Sequence, residues 1–428
     1  MAEYIETIDA MCGTGKTHMI IEWMKKNPEK RYLYISPMKS EVEERIPEDA
    51  AELDFQYPEV NDVHKTKGDS LLSLLSEGHN IAFTHSLYSR MTKEHIAYVR
   101  DIGYTIIIDE EMTLIEPLSI ASEEDKGYTD EDIRYLYRDG KITIDEEDFG
   151  RVVWNWNDYG WNGQYSKLKS MCDLAMVYCT KSLIDGTHDE YKMGSLVVEL
   201  PISLIEVADR CISISYLFEG SIMDMFLQMK GIETRPFNTE EEQVSLRYDN
   251  THIKEEVRNL ITFVNTLSSN KVGKKKLSYS WYENEFTRED ANIISAAIRS
   301  VARYCNAHQE YVMWTLPKKR AEKQRKNSVV VSPRGYSAKK CYVYCGCRAT
   351  NKYEEKHTLI HGIYRHPNVT VKSYLQHYGY DVDIDNFALS EMIQWIWRSR
   401  IRNKESINLC ILSRRMQILF EKWLYSDL

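Results

Sequence analysis

The stretch Tyr4–Thr17, YIETIDAMCGTGKT, constrains what this chain can fold into more than any other. An apolar strand runs into a turn carrying two glycines, and a helix starts at Thr17. The turn, Ala10-Met11-Cys12-Gly13-Thr14-Gly15-Lys16-Thr17, is the phosphate-loop pattern with Ala in place of its first glycine. Gly13 and Gly15 lack a Cβ, so the backbone around Thr14 can curl and aim its N–H groups inward. Those groups, with the helix N-terminus behind them, cradle a polyphosphate. Lys16 is placed to reach the β- and γ-phosphates, and Thr17 to hold Mg2+. An ordinary glycine-rich turn has no need of Lys-Thr after its second glycine.

A second stretch gives the loop its partner. Tyr104–Glu111, YTIIIDEE, is a run of β-formers that suits a strand buried on both faces, ending in carboxylates. Asp109 is expected to orient Mg2+, and Glu110 to polarise the water that attacks the γ-phosphate. Without the phosphate loop upstream, the same residues would read as a solvated acidic loop.

Between and beyond these two stretches the chain alternates strand and helix patterns. RYLYIS (31–36) is a buried strand running into Ser-Pro and a helix from Glu41 to Arg45. Lys65–Glu77 and Met91–Asp101 are helices, with the strand NIAFTH (80–85) between them. Ser36, Pro37, Lys39, Thr84 and His85 therefore fall at strand ends, where ligands of open α/β sheets sit. From Ile120 to Lys169 the periodicity weakens; the stretch is acidic, then carries Trp154, Trp156 and Trp161. It is expected to be an insertion, its charges a solvated face and its tryptophans core rather than base-stacking platforms. Strands are expected over 196–204 and 210–216, a helix over 218–230, and a linker over 233–243. The second half repeats the rhythm, with helices over 254–267, 289–306 and 388–402 and strands over 277–282, 311–316 and 341–345. The basic run PKKRAEKQRK (317–326) fits a mobile surface loop or phosphate-backbone contacts equally well.

The length of 428 residues suits two or three domains, and 43% apolar residues can bury sizeable cores. A net charge of −10 argues against a wholly basic exterior, so any nucleic-acid site must be a local groove. Nine cysteines without disulfide-like spacing, no signal-peptide start and no apolar run of membrane-spanning length point to the cytoplasm of the cell, with no membrane partner. Cys345-x-Cys347 with His357-x-x-x-His361 offers a set of zinc ligands, but its Cys-x-Cys spacing is unusual for zinc and CRATN already accounts for the region.

Taken together, these stretches resemble the superfamily 2 helicases and translocases, the DEAD-like group, and most of all the compact helicase-like ATPases of bacteriophage replication modules. AMCGTGKT looks like motif I, SPMKSEVEER like motif Ia, FTHSL like the next DNA-contact motif and IIIDEEM like the DEAD box. SISYLFEG, LSYSWYENEF and CRATN occupy the places of motifs III, IV and V, and QWIWRSRIR looks like motif VI. Trp397 stands where motif VI has a glycine, and Ile401 where it has an arginine, flanked by Arg400 and Arg402.

The resemblance implies an α/β fold of two RecA-like P-loop NTPase domains, each a mostly parallel sheet flanked by helices. The first would be residues 1–237 with the insertion at about 119–170, and the second residues 238–428. ATP and Mg2+ would bind at Gly13, Thr14, Gly15, Lys16, Thr17 and Asp109. Glu110 would act on the water, Gln394 and Arg398 on the γ-phosphate, and Arg400 or Arg402 beside them. Single-stranded or forked nucleic acid, DNA rather than RNA, would touch Ser36, Pro37, Lys39, Thr84, His85, Arg348, Thr350 and Asn351, with other replication proteins as further partners. A packaging motor, or an origin-binding or loading protein with little unwinding, are the alternatives.

Overall fold

The computed structural model describes residues 4–118, 130–156, 165–187, 196–323, 328–346 and 351–426. They form two compact units, one of residues 1–9, 21–238 and 367–383, the other of 10–20, 239–366 and 384–428. The sequence reading divides the chain after residue 237; here the division falls at Asn238, and residues 10–20 and 367–383 lie on the other side of it.

The first unit is built on β1 (Tyr4–Asp9), β2 (Arg31–Ser36), β3 (Ile81–Thr84) and β4 (Tyr104–Asp109). In β4 every residue from Tyr104 to Ile108 is buried, as its unbroken apolar run requires of a strand covered on both faces. After β4 the chain makes a separate antiparallel sheet from β5 (Ile115–Pro117), β6 (Ile142–Asp145), β7 (Arg151–Trp154), β8 (Val177–Tyr178) and β9 (Val197–Glu199). It then returns to the main sheet with β10 (Arg210–Ser215) and β11 (Glu233–Pro236). The main sheet has the order β11-β1-β10-β4-β2-β3 and is parallel throughout. The second unit has a parallel sheet of β12 (Ile261–Phe263), β13 (Val312–Thr315), β14 (Thr358–His361) and β15 (Ile407–Ile411), in the order β12-β15-β14-β13. The chain is therefore α/β, with two RecA-like parallel sheets flanked by helices and an antiparallel sheet inserted in the first.

Several local expectations are corrected. Part of the supposed linker, Glu233–Pro236, is β11, paired with β1; Pro236 is tolerated because β11 is an edge strand. The strand expected over 277–282 is a helix, Tyr279–Asn284, because Ser278 caps it by accepting from the Trp281 amide at 3.2 Å. The strand expected over 341–345 is absent; a short helix, Ala338–Cys341, leads to a single bridge between Trp314 and Tyr342. Its place in the sheet is taken by β14, a four-residue run overlooked beside the charged stretch that precedes it. The helix expected over 254–267 runs from Asn250 to Leu260, capped by Asp249, and stops where Ile261–Phe263 pairs with β15. β9 is only Val197–Glu199, followed by a helix, Ser203–Val207. The inserted sheet spans 115–199, wider than the stretch of weak periodicity, because its short strands carry too few residues to show alternation.

A late segment completes this inserted region. The helix Val369–His377 belongs to the first unit, and its Tyr374 hydroxyl lies 2.8 Å from Glu199 Oε1 and 2.6 Å from the Phe149 carbonyl. Glu199 pairs with Lys230 at 2.5 Å, and the ammonium lies 4.6 Å from the centres of both the Phe149 and Tyr178 rings. Burial pushes the Glu199 carboxyl above the usual range, against the pull of Lys230.

Candidate nucleotide site

Residues 10–15 leave β1 as a compact turn and enter the helix Lys16–Lys26. Gly13 and Gly15 have φ of 89° and 90°, a left-handed conformation that favours glycine. The Thr14 amide and hydroxyl both donate to the Met11 carbonyl, at 3.3 and 2.8 Å. Lys16 Nζ donates to the Ala10 carbonyl, so the side chain folds back across the turn. The helix behind it opens with Lys16 and Thr17, leaving its first N–H groups for an anion. The turn thus has the shape and the charge of a phosphate cradle.

Neighbouring residues of the same unit fasten the turn. Asn250, first residue of the helix Asn250–Leu260, accepts from the Met11 amide through Oδ1 at 2.8 Å. The Arg247 and Tyr248 amides both donate to the Thr14 carbonyl, at 3.0 and 3.2 Å. A Cβ added to Gly15 would stand 3.2 Å from Arg247 Cβ, and one added to Gly13 would stand 3.5 Å from the Trp397 indole. Of these partners only Trp397 was singled out from the sequence, and not as a contact of the turn. Asn250 lies beside the capping residue Asp249, a helix-start signal that the periodicity reading passed over.

Arg398 follows Trp397 and is buried. The helix carrying Gln394 ends at Ile396 rather than at Arg402. The Arg398 amide donates to the Trp395 carbonyl at 3.2 Å, a tighter turn, so Gln394 and Arg398 do not lie on one continuous helix as the helix expected over 388–402 would place them. Gln394 Nε2 donates to Ser390 Oγ at 3.4 Å. Arg400 and Arg402 lie on a short 3-10 helix, Arg400–Asn403; Arg400 donates to the Ser406 carbonyl, and Arg402 is exposed.

In the first unit, β10 lies between β1 and β4, so the carboxyl ends of these two strands stand about two strand spacings, ~10 Å, apart. The register places Asp9 opposite Ser215, and Ile214 opposite Asp109. Tyr34 donates to Asp109 Oδ2 at 2.9 Å; burial and then the Asp109 charge raise the phenol well above its ordinary value, so it stays a donor. Glu110 has φ of 62°, unusual for a residue with a side chain, and its amide is tied to the Ile214 carbonyl at 2.9 Å. Glu111 has a structural task, accepting from the Met223 amide at 3.0 Å.

The same edge gathers most of the residues expected to meet nucleic acid. Ser36 and Thr84 stand opposite each other at the ends of β2 and β3. His85 Nε2 lies 3.0 Å from the Asp109 carbonyl; a carbonyl only accepts, so Nε2 carries the proton. Lys39, beyond Pro37, pairs with Glu43 at 3.2 Å on the surface. Arg348 and Thr350 lie outside the described residues, as do the Asn351 side chain and Trp161. Trp154 is buried and stacks on Trp156 at 6.3 Å, with Lys141 Nζ 3.5 Å from the Trp156 ring centre. Of the basic run, Arg320 is bound to the Tyr282 carbonyl and Lys319 pairs with Glu283 at 3.3 Å.

Among the described residues no set of zinc ligands is assembled. Cys345 Sγ lies 3.6 Å from His361 Nε2, but His357 sits four residues back along extended chain, about 13 Å away. Burial pushes the Cys345 thiol up to about 12 and the His361 imidazole down to about 3, so both are neutral at pH 7. Cys347 lies outside the described residues, among which no three His, Cys, Asp or Glu side chains are grouped to hold a metal. No helix among them is long and apolar enough to cross a membrane.

Residues 255–424 match the family model described as the YonV C-terminal Rossmann-like domain, in agreement with the second unit's parallel sheet. Over 443 residues the chain is 27% identical to the SPbeta prophage-derived uncharacterized protein YonV of Bacillus subtilis (strain 168), covering 99% of both. A solved structure of S. tokodaii Xpd4 superposes with a TM-score of 0.41 at 14% identity, covering 99% of this chain and 95% of the other. At that score the superposition adds nothing to the fold, which rests on the strand order above.

Proposed function

We propose that the chain is an ATP hydrolase that couples turnover to movement along, or separation of, nucleic-acid strands. The observation that carries this reading is the turn at 10–17. Two glycines hold left-handed backbone, the lysine folds over the turn, and a helix begins immediately behind it. Carboxylates at the end of β4, on the same sheet edge from which the turn departs, support it.

Gly13, Thr14 and Gly15 would present backbone N–H groups to the phosphates, and Lys16 its ammonium. Thr17 and Asp109 would hold Mg2+, which when bound neutralises phosphate charge. Tyr34 fixes Asp109 for that role. Glu110 would take the proton of the attacking water. Arg398 is the arginine candidate, because its neighbour Trp397 packs against Gly13; Gln394 and Arg402 are secondary. Ser36, Pro37, Lys39, Thr84 and His85 would meet the nucleic acid, with Arg348, Thr350 and Asn351 on the other unit. Phosphate contacts of this kind position a strand without reading its sequence. The prophage origin of the YonV relative favours genome replication in a phage, in the host cytoplasm, on DNA.

Phosphate release measured for the wild type and for Lys16→Ala, Glu110→Gln and Arg398→Ala tests the assignment. All three should lose turnover by at least about a hundredfold, the scale expected when a positioned acid-base group or a charge that stabilises the transferring phosphoryl is removed, and Glu110→Gln should keep its affinity for ATP. Normal turnover in Lys16→Ala would contradict the reading. Strand displacement on a forked duplex, beside simple retention on DNA, separates an unwinding enzyme from a loading protein.

A further inference from the structure

The residues that strap the phosphate loop carry two stacked aromatic rings. Between β11 and the helix Asn250–Leu260 the chain crosses the turn, with the Arg247 and Tyr248 amides on the Thr14 carbonyl. One helical turn later, the His252 ring stacks on Tyr248, the centroids 4.8 Å apart and the planes 12° from parallel. Lys404 Nζ lies 4.6 Å from the Tyr248 ring centre and pairs with Glu256 at 3.0 Å. Tyr248 is half-buried and His252 is exposed, so the planar surface offered to solvent is that of His252, backed by Tyr248.

The strap and the loop belong to the same unit, and the amides of Arg247 and Tyr248 hold the Thr14 carbonyl, so the stacked rings stand directly beside the turn that would hold the phosphates.

We propose, on the strength of the nucleotide reading above, that His252 and Tyr248 form the stacking surface for the nucleobase of the triphosphate on the phosphate loop. A stacked pair recognises a π-face rather than a hydrogen-bond edge, so purine triphosphates are the fitting class, with ATP and GTP bound within a few-fold of each other.

Calorimetric titration of the full chain with Mg-ATP, and separately with magnesium tripolyphosphate, tests this. In His252→Ala and Tyr248→Ala, ATP affinity should fall about tenfold while tripolyphosphate affinity stays unchanged, and Tyr248→Phe should behave as wild type. If Tyr248→Ala misfolds, His252→Ala, which alters an exposed ring, carries the test. Equal loss of both ligands, or of neither, overturns the proposal. So does a selective loss of ATP in Trp397→Ala with none in His252→Ala, which would move the base to the indole beside Gly13. A wild-type chain that binds tripolyphosphate no better than Lys16→Ala would overturn the phosphate-loop reading itself.

Discussion

Glu110 and His361 show what single residues contribute that a motif cannot. The DEE triplet is visible in the sequence, but not that Glu110 sits at positive φ while Glu111 caps a distant helix. The two carboxylates are therefore not interchangeable. Glu111→Gln should leave the rate of the chemical step within about threefold of wild type, against about a hundredfold for Glu110→Gln, both read in single-turnover ATP hydrolysis. His361 tests the electrostatics of the second unit. Its imidazole is fully buried and its folded value lies near 3, below the ordinary 6.5, chiefly from burial and then from Arg365. A depressed histidine folds neutral, so as pH falls below about 6.5 the unfolded chain takes up a proton that the folded chain refuses. Stability is then lost towards pH 4, by about 1.4 kcal/mol for each pH unit at most. His361→Phe should flatten that slope relative to wild type in urea titrations at pH 6.5, 5.5 and 4.5. Equal slopes would show that the imidazole is not buried as described.

At the scale of elements, legibility followed length and pattern. β4, with five buried residues in a row, and the helix Arg288–Tyr304, with its Thr287–Asp290 capping box, are plain in the sequence. β14, β12 and the inserted strands are two to four residues long and carry no usable period, so they went unseen or were misplaced. The Tyr-Ser-Trp-Tyr run misled because its aromatic residues favour strands while Ser278 favours a helix start, and the cap prevailed. Half of the candidate site was legible, namely the loop and its carboxylates. The residues that fasten them, Tyr34, Arg247 and Asn250, were not, because they come from positions distant in sequence and belong to no motif. The helix Val369–His377 is a similar case, joined to the inserted sheet through Tyr374. Removing its hydroxyl with Tyr374→Phe leaves Glu199 short of a donor in a buried setting. The expected cost is about 2 kcal/mol, seen as a lower urea midpoint with unchanged slope. An unaltered midpoint would mean that the hydroxyl bond adds nothing to the docking of this helix.

For the whole molecule, the central claim is that ATP turnover answers to nucleic acid. A chain with net charge −10 gains little from diffuse attraction to a polyanion, so stimulation has to come through a local edge such as that of Ser36, Thr84 and His85. The most direct test is steady-state phosphate release by the full chain, with and without single-stranded DNA, beside Lys16→Ala as the blank. Mg2+-dependent release should rise several-fold with DNA, lose that stimulation as salt is raised, and be absent from the lysine variant. Release at the same rate in wild type and Lys16→Ala, with or without DNA, would contradict it.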